Sequence, residues 1–335
     1  IIMDEATTAL TEKEIRSLFT VIHNIRSEGV AVLFVSHKLN EVLEIADKAL
    51  IIRNGKVVLD AEARDLDRTK LTFYMTGREF GVGSYEFTPA AEQDTPLLSV
   101  KNLCAGDNFQ DISFEMRHGE ILGITGLLGS GRTELALSLF GVLPADSGEI
   151  LVEGKHASIR SIQSAVSHGI GYVPEDRLTE GLFLEQSIGK NMIVCTVDSL
   201  VGKNGLLNRQ RMADQIRSWI GSLSIKTRDA ELPAKSLSGG NQQRVVLAKW
   251  LASNPRILIL NGPTVGVDVG SKVELHEIIK DLARKGVGIL IISDDIPELL
   301  ETCNRILVMR RGRLVAHYQR QQITEQELTY KLTEA

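Results

Sequence analysis

The stretch "GEILGITGLLGSGRTELALSLFG" (119–141) joins an apolar strand to an apolar-periodic helix through a turn rich in glycine. The turn reads Gly126, Leu127, Leu128, Gly129, Ser130, Gly131, Arg132, Thr133. Glycines let successive backbone N–H groups point inward around an anion, and the positive end of the following helix adds to the attraction. The stretch therefore predicts a phosphate-binding loop, with a plain structural turn as the alternative.

The loop departs from the usual phosphate-loop pattern at one position, where Arg132 replaces lysine. Arginine keeps the positive charge, but its planar fork is larger and less mobile than an ammonium group. We therefore expect phosphate binding with altered seating of a terminal phosphate. Thr133 supplies the hydroxyl that such loops offer to a metal ion.

The sequence repeats itself at a constant distance. Residues 1–10, "IIMDEATTAL", align with 258–267, "LILNGPTVGV", and residues 33–58 align with 290–315, both at an offset of 257. One register held without insertion indicates a tandem duplication with one incomplete copy. The apolar residues at the start then belong to an internal strand of a fragment, and the other interpretation is an unusual but complete N-terminus.

Both copies alternate strands with helices, which predicts an α/β fold. In the first copy, residues 15–25 carry an apolar helical stripe that ends before Gly29. The run "VAVLFVS" (30–36) follows as a strand that we expect to be buried on both faces, as in a parallel sheet. Residues 77–96 lack periodicity and contain three glycines and two prolines, so they are predicted to be a linker between domains 1–76 and 97–335.

Composition excludes some classes of partner. The net charge of -5 and the pI near 5.9 argue against nucleic acid or an anionic membrane surface as the main partner. No apolar run approaches the roughly 18 residues of a membrane-spanning helix. The three cysteines are odd in number and far apart, which favours reduced thiols in a cytoplasmic protein.

A second motif, "SLSGGNQQRVVLAKWL" (236–251), places a serine and two glycines before a helix. Ser238, Gly239 and Gly240 resemble the signature of ATP-binding-cassette ATPases, whose amides clamp the γ-phosphate held by the opposite cassette. With the phosphate loop, "GYVPEDR" (171–177) and the tandem copies, the chain resembles the two-cassette ATPase subunits of bacterial monosaccharide importers of the ribose, galactose and xylose class. Glu175, where most cassettes have glutamine, recurs in second cassettes of that family.

This resemblance implies a P-loop fold of one partial and one complete cassette, with ATP and Mg²⁺ as ligands. It implies paired cassettes, integral-membrane permease subunits and a periplasmic or extracellular sugar-binding protein that acts through the permease. The subunit would lie at the cytoplasmic face of the inner membrane. The sugar itself is not readable, because selectivity belongs to the permease and the binding protein.

The resemblance also assigns hydrolytic roles. In the first copy Asp4 would hold Mg²⁺ through water, Glu5 would polarise the attacking water and His37 would contact the γ-phosphate; a strand-end histidine without a catalytic role is the alternative for His37. The same register in the second copy holds Asn261, Gly262 and Asp294. A neutral amide, a bare glycine and a repelling carboxylate cannot perform those steps, so the second copy is expected to be hydrolytically degenerate.

Three functions remain open from the sequence. The first is a transport ATPase of the importer class, and the second is a nucleotide-binding module without turnover, either a regulatory pseudo-ATPase or a nonfunctional truncated product. A nucleic-acid ATPase with the same cassette is disfavoured by the acidic pI and by the lack of a basic arm.

Overall fold

The computed structural model describes residues 1–7, 10, 12–36, 38–53, 55–77, 85, 87, 95–202 and 205–333. The chain divides into two compact units. One comprises Ile1–Val82 with Asp268–Val273, and the other comprises Gly83–Val267 with Glu274–Ala335. The predicted linker falls mostly outside the described residues, so its boundaries at 77 and 96 stay a prediction.

The first 76 residues alternate strands and helices and then add a hairpin. The elements are β1 (Ile2–Asp4), α1 (Glu12–Ser27), β2 (Leu33–Val35), α2 (Leu39–Ile45), β3 (Lys48–Arg53), β4 (Lys56–Glu62) and α3 (Arg68–Thr76). Strands β1 and β2 pair in parallel, and β3 and β4 pair antiparallel. The predicted apolar stripe of α1 is confirmed, since Phe19 and Ile22 are buried in its core cluster.

The longer part of the chain carries the remaining elements. They are β5 (Leu98–Ala105), β6 (Phe109–Met116), β7 (Ile121–Thr125), α4 (Arg132–Leu139), β8 (Ser147–Val152), β9 (Lys155–His156), α5 (Ile162–Ser167), β10 (Ile170–Val173), α6 (Ile188–Ile193), α7 (Arg209–Ser222), α8 (Gly239–Leu251), β11 (Ile257–Asn261), α9 (Val269–Arg284), β12 (Gly288–Ile292), α10 (Ile296–Thr302), β13 (Arg305–Arg310), β14 (Arg313–Gln319) and α11 (Glu325–Thr333).

Two sheets organise this second unit. The larger has the order β10-β11-β12-β7-β13-β14, parallel except for the antiparallel edge strand β14. The smaller, in the order β6-β5-β8-β9, is antiparallel. Strands β7, β11 and β12 are buried along their whole length, because helices cover both faces of a parallel sheet. The predicted α/β class is confirmed.

The duplication seen in the sequence is also a duplication of structure. Adding 257 to both bounds of α1, α2, β3, β4 and α3 gives the bounds of α9, α10, β13, β14 and α11. The irregularity in the first hairpin lies between Ile51 and Ile52, and the one in the second lies between Val308 and Met309, at the same offset. Equal loop lengths and equal hydrogen-bond registers follow from the insertion-free alignment.

Buried polar contacts repeat as well. Thr7 Oγ1 donates to Glu41 Oε2 at 2.6 Å, and the equivalent Thr264 Oγ1 donates to Glu298 Oε1 at 2.7 Å. Ser293 Oγ also donates to Glu298, at 2.7 Å. A buried carboxylate is tolerated only when its oxygens are hydrogen-bonded, so the hydroxyl partners recur wherever the glutamate does.

One expectation about the first copy is wrong. The run 30–36 is predicted to be a strand buried on both faces, but the strand covers only Leu33–Val35, and Leu33 is 58% exposed whereas its equivalent Leu290 is completely buried. Ile2 of the paired strand β1 is likewise 74% exposed, whereas Ile259 is completely buried. The physical reason is the number of neighbouring strands. β11 and β12 lie inside a six-stranded sheet, while β1 and β2 have only each other among the described residues.

Candidate functional site

The predicted phosphate loop connects the carboxyl end of β7 to the start of α4, as the sequence indicated. Gly129 and Gly131 have φ values of +77° and +92°, in the left-handed region that favours glycine. A Cβ at Gly131 would also lie 2.4 Å from the carbonyl oxygen of Asn108. The loop therefore requires glycine at 131 for both backbone conformation and space.

The loop contains a buried hydroxyl without a partner. Ser130 is 4% exposed, and its Oγ is buried with no hydrogen-bond partner among the described residues. A buried polar atom that lacks a partner is costly, and such atoms are often satisfied by a ligand. An unpartnered hydroxyl inside a glycine loop at a helix start fits a phosphate group.

A cavity of about 520 Å³ lies next to this loop and gathers side chains from three separate stretches of the second unit. Of the residues singled out in the sequence, Thr133, Glu175 and Asn261 line it. Tyr172 and Arg177 line it too, although only their motif "GYVPEDR" was noted in the sequence. Side-chain oxygen atoms beside a phosphate loop are suitable ligands for a hydrated Mg²⁺ that binds together with a nucleotide.

Asn261 is buried and lies beside Tyr172. Its Nδ2 donates to the Tyr172 hydroxyl oxygen at 3.4 Å, and the ring of Tyr172 stacks on Phe140. Burial raises the pKa of Tyr172 to about 12, while the hydrogen bond from Asn261 opposes that rise. The position equivalent to Asp4 of the first copy is thus a neutral amide paired with a neutral phenol.

Gly262 adopts a conformation that a side chain would strain. Its φ is +55°, and a Cβ would lie 2.9 Å from Cγ of Glu175. In the first copy Glu5 holds the equivalent backbone, with φ of 47°. The amides of Glu5 and Gly262 donate to Val35 and Ile292 at 2.9 and 2.8 Å, so the backbone site is the same and only the carboxylate is missing.

Arg132 is turned toward protein acceptors. Its Nη1 donates to the carbonyl oxygen of Gly126. Its Nη2 lies 3.4 Å from Oδ2 of Asp294, the residue expected to repel a γ-phosphate. The side chain of Arg132 is 11% exposed and that of Asp294 is 77% exposed. This ion pair was not predictable from the sequence, because the two residues belong to distant motifs.

Arg177 connects three motifs. Its Nη1 and Nη2 donate to the carbonyl oxygens of Val265 and Gly266 at 2.7 and 3.0 Å, and its Nε donates to Gln242 Oε1 at 3.3 Å. Burial lowers the pKa of Arg177, although the guanidinium stays charged. In the sequence, the feature that could have indicated this role is the position of Arg177 at the end of the motif "GYVPEDR" (171–177).

The signature residues lie at the start of α8 and are not among the residues that line the cavity. Ser238 precedes the helix, and Asn241 Nδ2 donates to its Oγ at 2.8 Å. Gly239 leaves room for Arg177, since a Cβ there would approach Nη2 at 2.8 Å. Gly240 is buried in the first turn. The signature thus adjoins the cavity wall through Arg177 without forming part of it.

The remaining predicted residues belong to the first unit. Asp4 ends β1 and Glu5 follows it, both exposed, while His37 lies outside the described residues. No group of three or more His, Cys, Asp or Glu side chains in the described part of the chain is arranged to hold a metal ion. No helix there combines the length and apolar character needed to cross a membrane.

Comparison with known proteins places the phosphate loop inside a known domain type. The profile of the family described as "ABC transporter" matches residues 109–265. The chain is 45% identical over 326 residues to the ribose import ATP-binding protein RbsA 3 of Rubrobacter xylanophilus, covering 97% of this chain and 65% of that protein. It is 42% identical over 328 residues to a putative ribose/galactose/methyl galactoside import ATP-binding protein of Halalkalibacterium halodurans, covering 98% of this chain and 62% of that protein.

The chain therefore spans about two thirds or slightly less of the length of these relatives. Among solved structures, a nucleotide-free ATP-binding cassette from an ABC transporter matches with a TM-score of 0.61 and 22% identity, over 71% of this chain and 96% of that one. The cbiO1 protein of Clostridium perfringens matches with a TM-score of 0.59 and 24% identity, over 72% and 95%. These structural matches support the cassette fold alone.

Proposed function

We propose that the chain is part of the ATP-binding subunit of a monosaccharide importer, because residues 109–265 match the family model described as "ABC transporter". Import of ribose or a related sugar is supported by the names of relatives that are 40 to 45% identical to the chain. The proposal includes a membrane permease and a sugar-binding protein as partners. It also includes a position at the cytoplasmic face of the membrane.

The observation that carries the proposal is the geometry of the phosphate loop. Left-handed Gly129 and Gly131, the unpartnered Ser130 hydroxyl and the start of α4 form an anion cradle. Thr133 and Asn261 on the adjoining cavity supply oxygen atoms for a metal. ATP would supply the phosphoryl group, and Mg²⁺ would neutralise its charge. The residues of this chain would hold the phosphates in position.

We further propose that residues 1–76 are the later part of a first cassette, joined by 77–96 to a second cassette at 97–335. Support comes from the repeated element bounds and from the exposed faces of the first unit. Leu50 and Ile52 are 54% and 63% exposed, whereas their equivalents Leu307 and Met309 are buried. Apolar faces of this extent indicate a missing partner surface, which in the second unit is supplied by the strands and helices that precede β11.

Within the proposed importer the two nucleotide sites differ. One would use Asp4, Glu5 and His37 of the first copy. The other would combine the loop from Gly126 to Thr133 with Asn261, Gly262 and Asp294. Since the latter set lacks a carboxylate for the metal and one for water, we assign it to holding a nucleotide.

The proposal is tested by titrating the chain with Mg·ADP and Mg·ATP in a calorimeter. Gly131→Ala should abolish binding, because the Cβ meets Asn108 and the backbone is strained. Gly286→Ala is the matched control: its φ is +90°, it lies in open space, and it is far along the chain from the loop. Gly286→Ala should lose about 1 kcal/mol of stability from backbone strain alone, less than Gly131→Ala with its additional clash, and should keep its affinity.

The same samples report turnover. The wild-type chain should release phosphate from ATP at the rate of a buffer blank, because Gly262 cannot orient water. Failure of both nucleotides to bind the wild-type chain at millimolar concentration would make the glycine loop a structural turn and refute the proposal. Binding together with magnesium-dependent turnover would instead refute the assignment of the second cassette to holding.

A further inference from the structure

Arg132, the one cationic side chain of the phosphate loop, is already engaged by an anion of the protein. Its Nη2 lies 3.4 Å from Oδ2 of Asp294, and Nη1 donates to the carbonyl oxygen of Gly126. The two terminal nitrogens of the guanidinium therefore face acceptors that belong to the chain. When a phosphate enters the loop, the guanidinium of Arg132 already contacts these two protein acceptors.

The two partners differ strongly in exposure, and this decides how the pair can open. Asp294 is 77% exposed, so its carboxylate can return to water at small cost. Arg132 is 11% exposed, and a buried guanidinium needs an anion nearby. An incoming phosphate can replace the carboxylate of Asp294 as the anion beside Arg132. The ion pair therefore weakens phosphate binding but does not prevent it.

We propose that Asp294 acts as an internal anion that occupies Arg132 and lowers the nucleotide affinity of the second unit. This inference rests on the proposed function, because it concerns the same loop. It adds a residue that sets nucleotide affinity from outside that loop, between β12 and α10. The equivalent position in the first copy is His37, so the carboxylate belongs to the second copy alone.

The pairing makes a different prediction from simple repulsion. A carboxylate that only repels phosphate weakens ATP binding whether or not Arg132 is present. A carboxylate that occupies Arg132 weakens the binding of ADP and ATP alike, and its effect disappears when the arginine is removed. A double-mutant cycle separates the two, since it isolates the coupling between the two side chains.

The experiment measures the Kd of Mg·ADP and Mg·ATP for the full chain and for Asp294→Asn, Arg132→Ala and the double variant. We expect Asp294→Asn to bind ADP about three to five times more tightly than wild type, which is the range of an exposed ion pair. In the Arg132→Ala background the same change should alter the ADP Kd by less than about 1.5-fold, because the paired cation is gone.

Two further variants guard the interpretation. Asp294→Glu keeps the charge and the reach to Arg132, so its affinity should match wild type. Glu134→Gln removes a carboxylate from the same helix start without touching the pair and reports the effect of net charge alone. Thermal unfolding of each variant without nucleotide confirms that it is folded.

The outcomes are distinct. Equal gains from Asp294→Asn with and without Arg132, no gain at all, or a gain equal to that of Glu134→Gln would overturn the inference and leave the proposed function standing. Absence of nucleotide binding in all variants would remove the proposed function and the inference with it. Binding by Asp294→Asn but not by wild type would support both.

Discussion

At the scale of single residues, the second unit has Asn261 and Gly262 at the positions where the first has the carboxylates Asp4 and Glu5. Asn261 contacts the hydroxyl of Tyr172, and both groups are buried. Because neither is charged near neutral pH, this pair offers a metal ion only neutral oxygen atoms. Its polar atoms satisfy each other, which allows them to be buried at low cost.

Tyr172 provides a test of this burial through pH. Its folded-state pKa of about 12 exceeds the ordinary value of 10.0. Its contribution to the free energy of unfolding is fully present below pH 10 and is lost as pH rises from 10 through 12, because only the unfolded state releases the proton there. Urea unfolding at pH 9 and pH 11 should show wild type losing about 1 kcal/mol more than Tyr172→Phe, at about 1.4 kcal/mol per unit of pKa.

Parallel stability profiles for wild type and Tyr172→Phe would contradict the burial of an ionisable phenol at this position. The phenylalanine variant is the appropriate reference because it keeps the stacking on Phe140, whose ring centroid lies 5.1 Å from that of Tyr172. Both proteins carry the same lysines and other tyrosines, so the titration of those groups cancels in the comparison.

At the scale of elements, Arg177 and Lys249 attach the segment after β10 to the rest of the second unit. Lys249 Nζ of α8 donates to the carbonyl oxygen of Gly181 at 2.6 Å. Arg177 reaches both α8, through Gln242, and the loop after β11, through Val265 and Gly266. Since loops contribute few apolar contacts, such charge-assisted hydrogen bonds decide where the segment lies.

Replacing Arg177 should therefore loosen several elements together. Arg177→Ala removes two hydrogen bonds from a charged donor to backbone carbonyls, and we expect the free energy of unfolding to fall by about 2 kcal/mol. Arg177→Lys should recover less than half of this, because an ammonium group cannot span two carbonyl oxygens and a side-chain amide as a planar fork does. Urea denaturation measures the loss, and amide exchange of residues 262–266 locates it.

Arg209→Ala is a suitable control, since this exposed arginine begins α7 at a distance along the chain from the site. A surface change of that kind is expected to stay within about 0.5 kcal/mol of wild type. If Arg177→Lys equals wild type, the fork geometry is not what holds the loop.

The sequence was sufficient for the α/β class, for the apolar face of α1 and for the loop between β7 and α4, because these depend on local periodicity and on glycine. It was insufficient for the antiparallel sheet β6-β5-β8-β9, which the expected alternation of strands and helices does not include. It was insufficient for the exposure of Leu33, since burial depends on which strands lie beside β2. It also missed the contacts of Arg132 and Arg177. Their partners are distant along the chain, and no local pattern encodes which carbonyl or carboxylate a long side chain reaches.

At the scale of the molecule, the two units differ in how much apolar surface they bury. The first has two small clusters, around Phe19 and Ile22 and around Ile51 and Leu71, and exposes many of its strand residues. The second has one extended core that includes Cys303. Units with separate cores need not unfold together, so a single unfolding transition is not expected.

The cysteines make this difference measurable, because all three belong to the second unit. Cys303 is buried, and burial raises the pKa of its thiol well above the ordinary value, so it should not react until that unit unfolds. In increasing urea, an early loss of helical circular dichroism should precede alkylation of Cys303. Mass spectrometry of the labelled peptide, with Cys303→Ala as the control, follows the reaction. Simultaneous changes would contradict independent unfolding.

The constant spacing of 257 between equivalent elements means that the chain contains interchangeable parts. A graft of residues 2–76 in place of 259–333 would preserve every helix length, both hairpin registers and the buried threonine–glutamate contact. It would also place Asp4, Glu5 and His37 in the second unit, which contains the phosphate loop. The graft meets steric obstacles, two of which are at glycines: Glu5 would take the position of Gly262, where a Cβ approaches Cγ of Glu175 at 2.9 Å, and Ala31 would take the position of Gly288, where a Cβ approaches Cδ2 of Leu97 at 2.5 Å. Rebuilding a hydrolytic centre by such an exchange therefore also requires a shorter side chain at position 175.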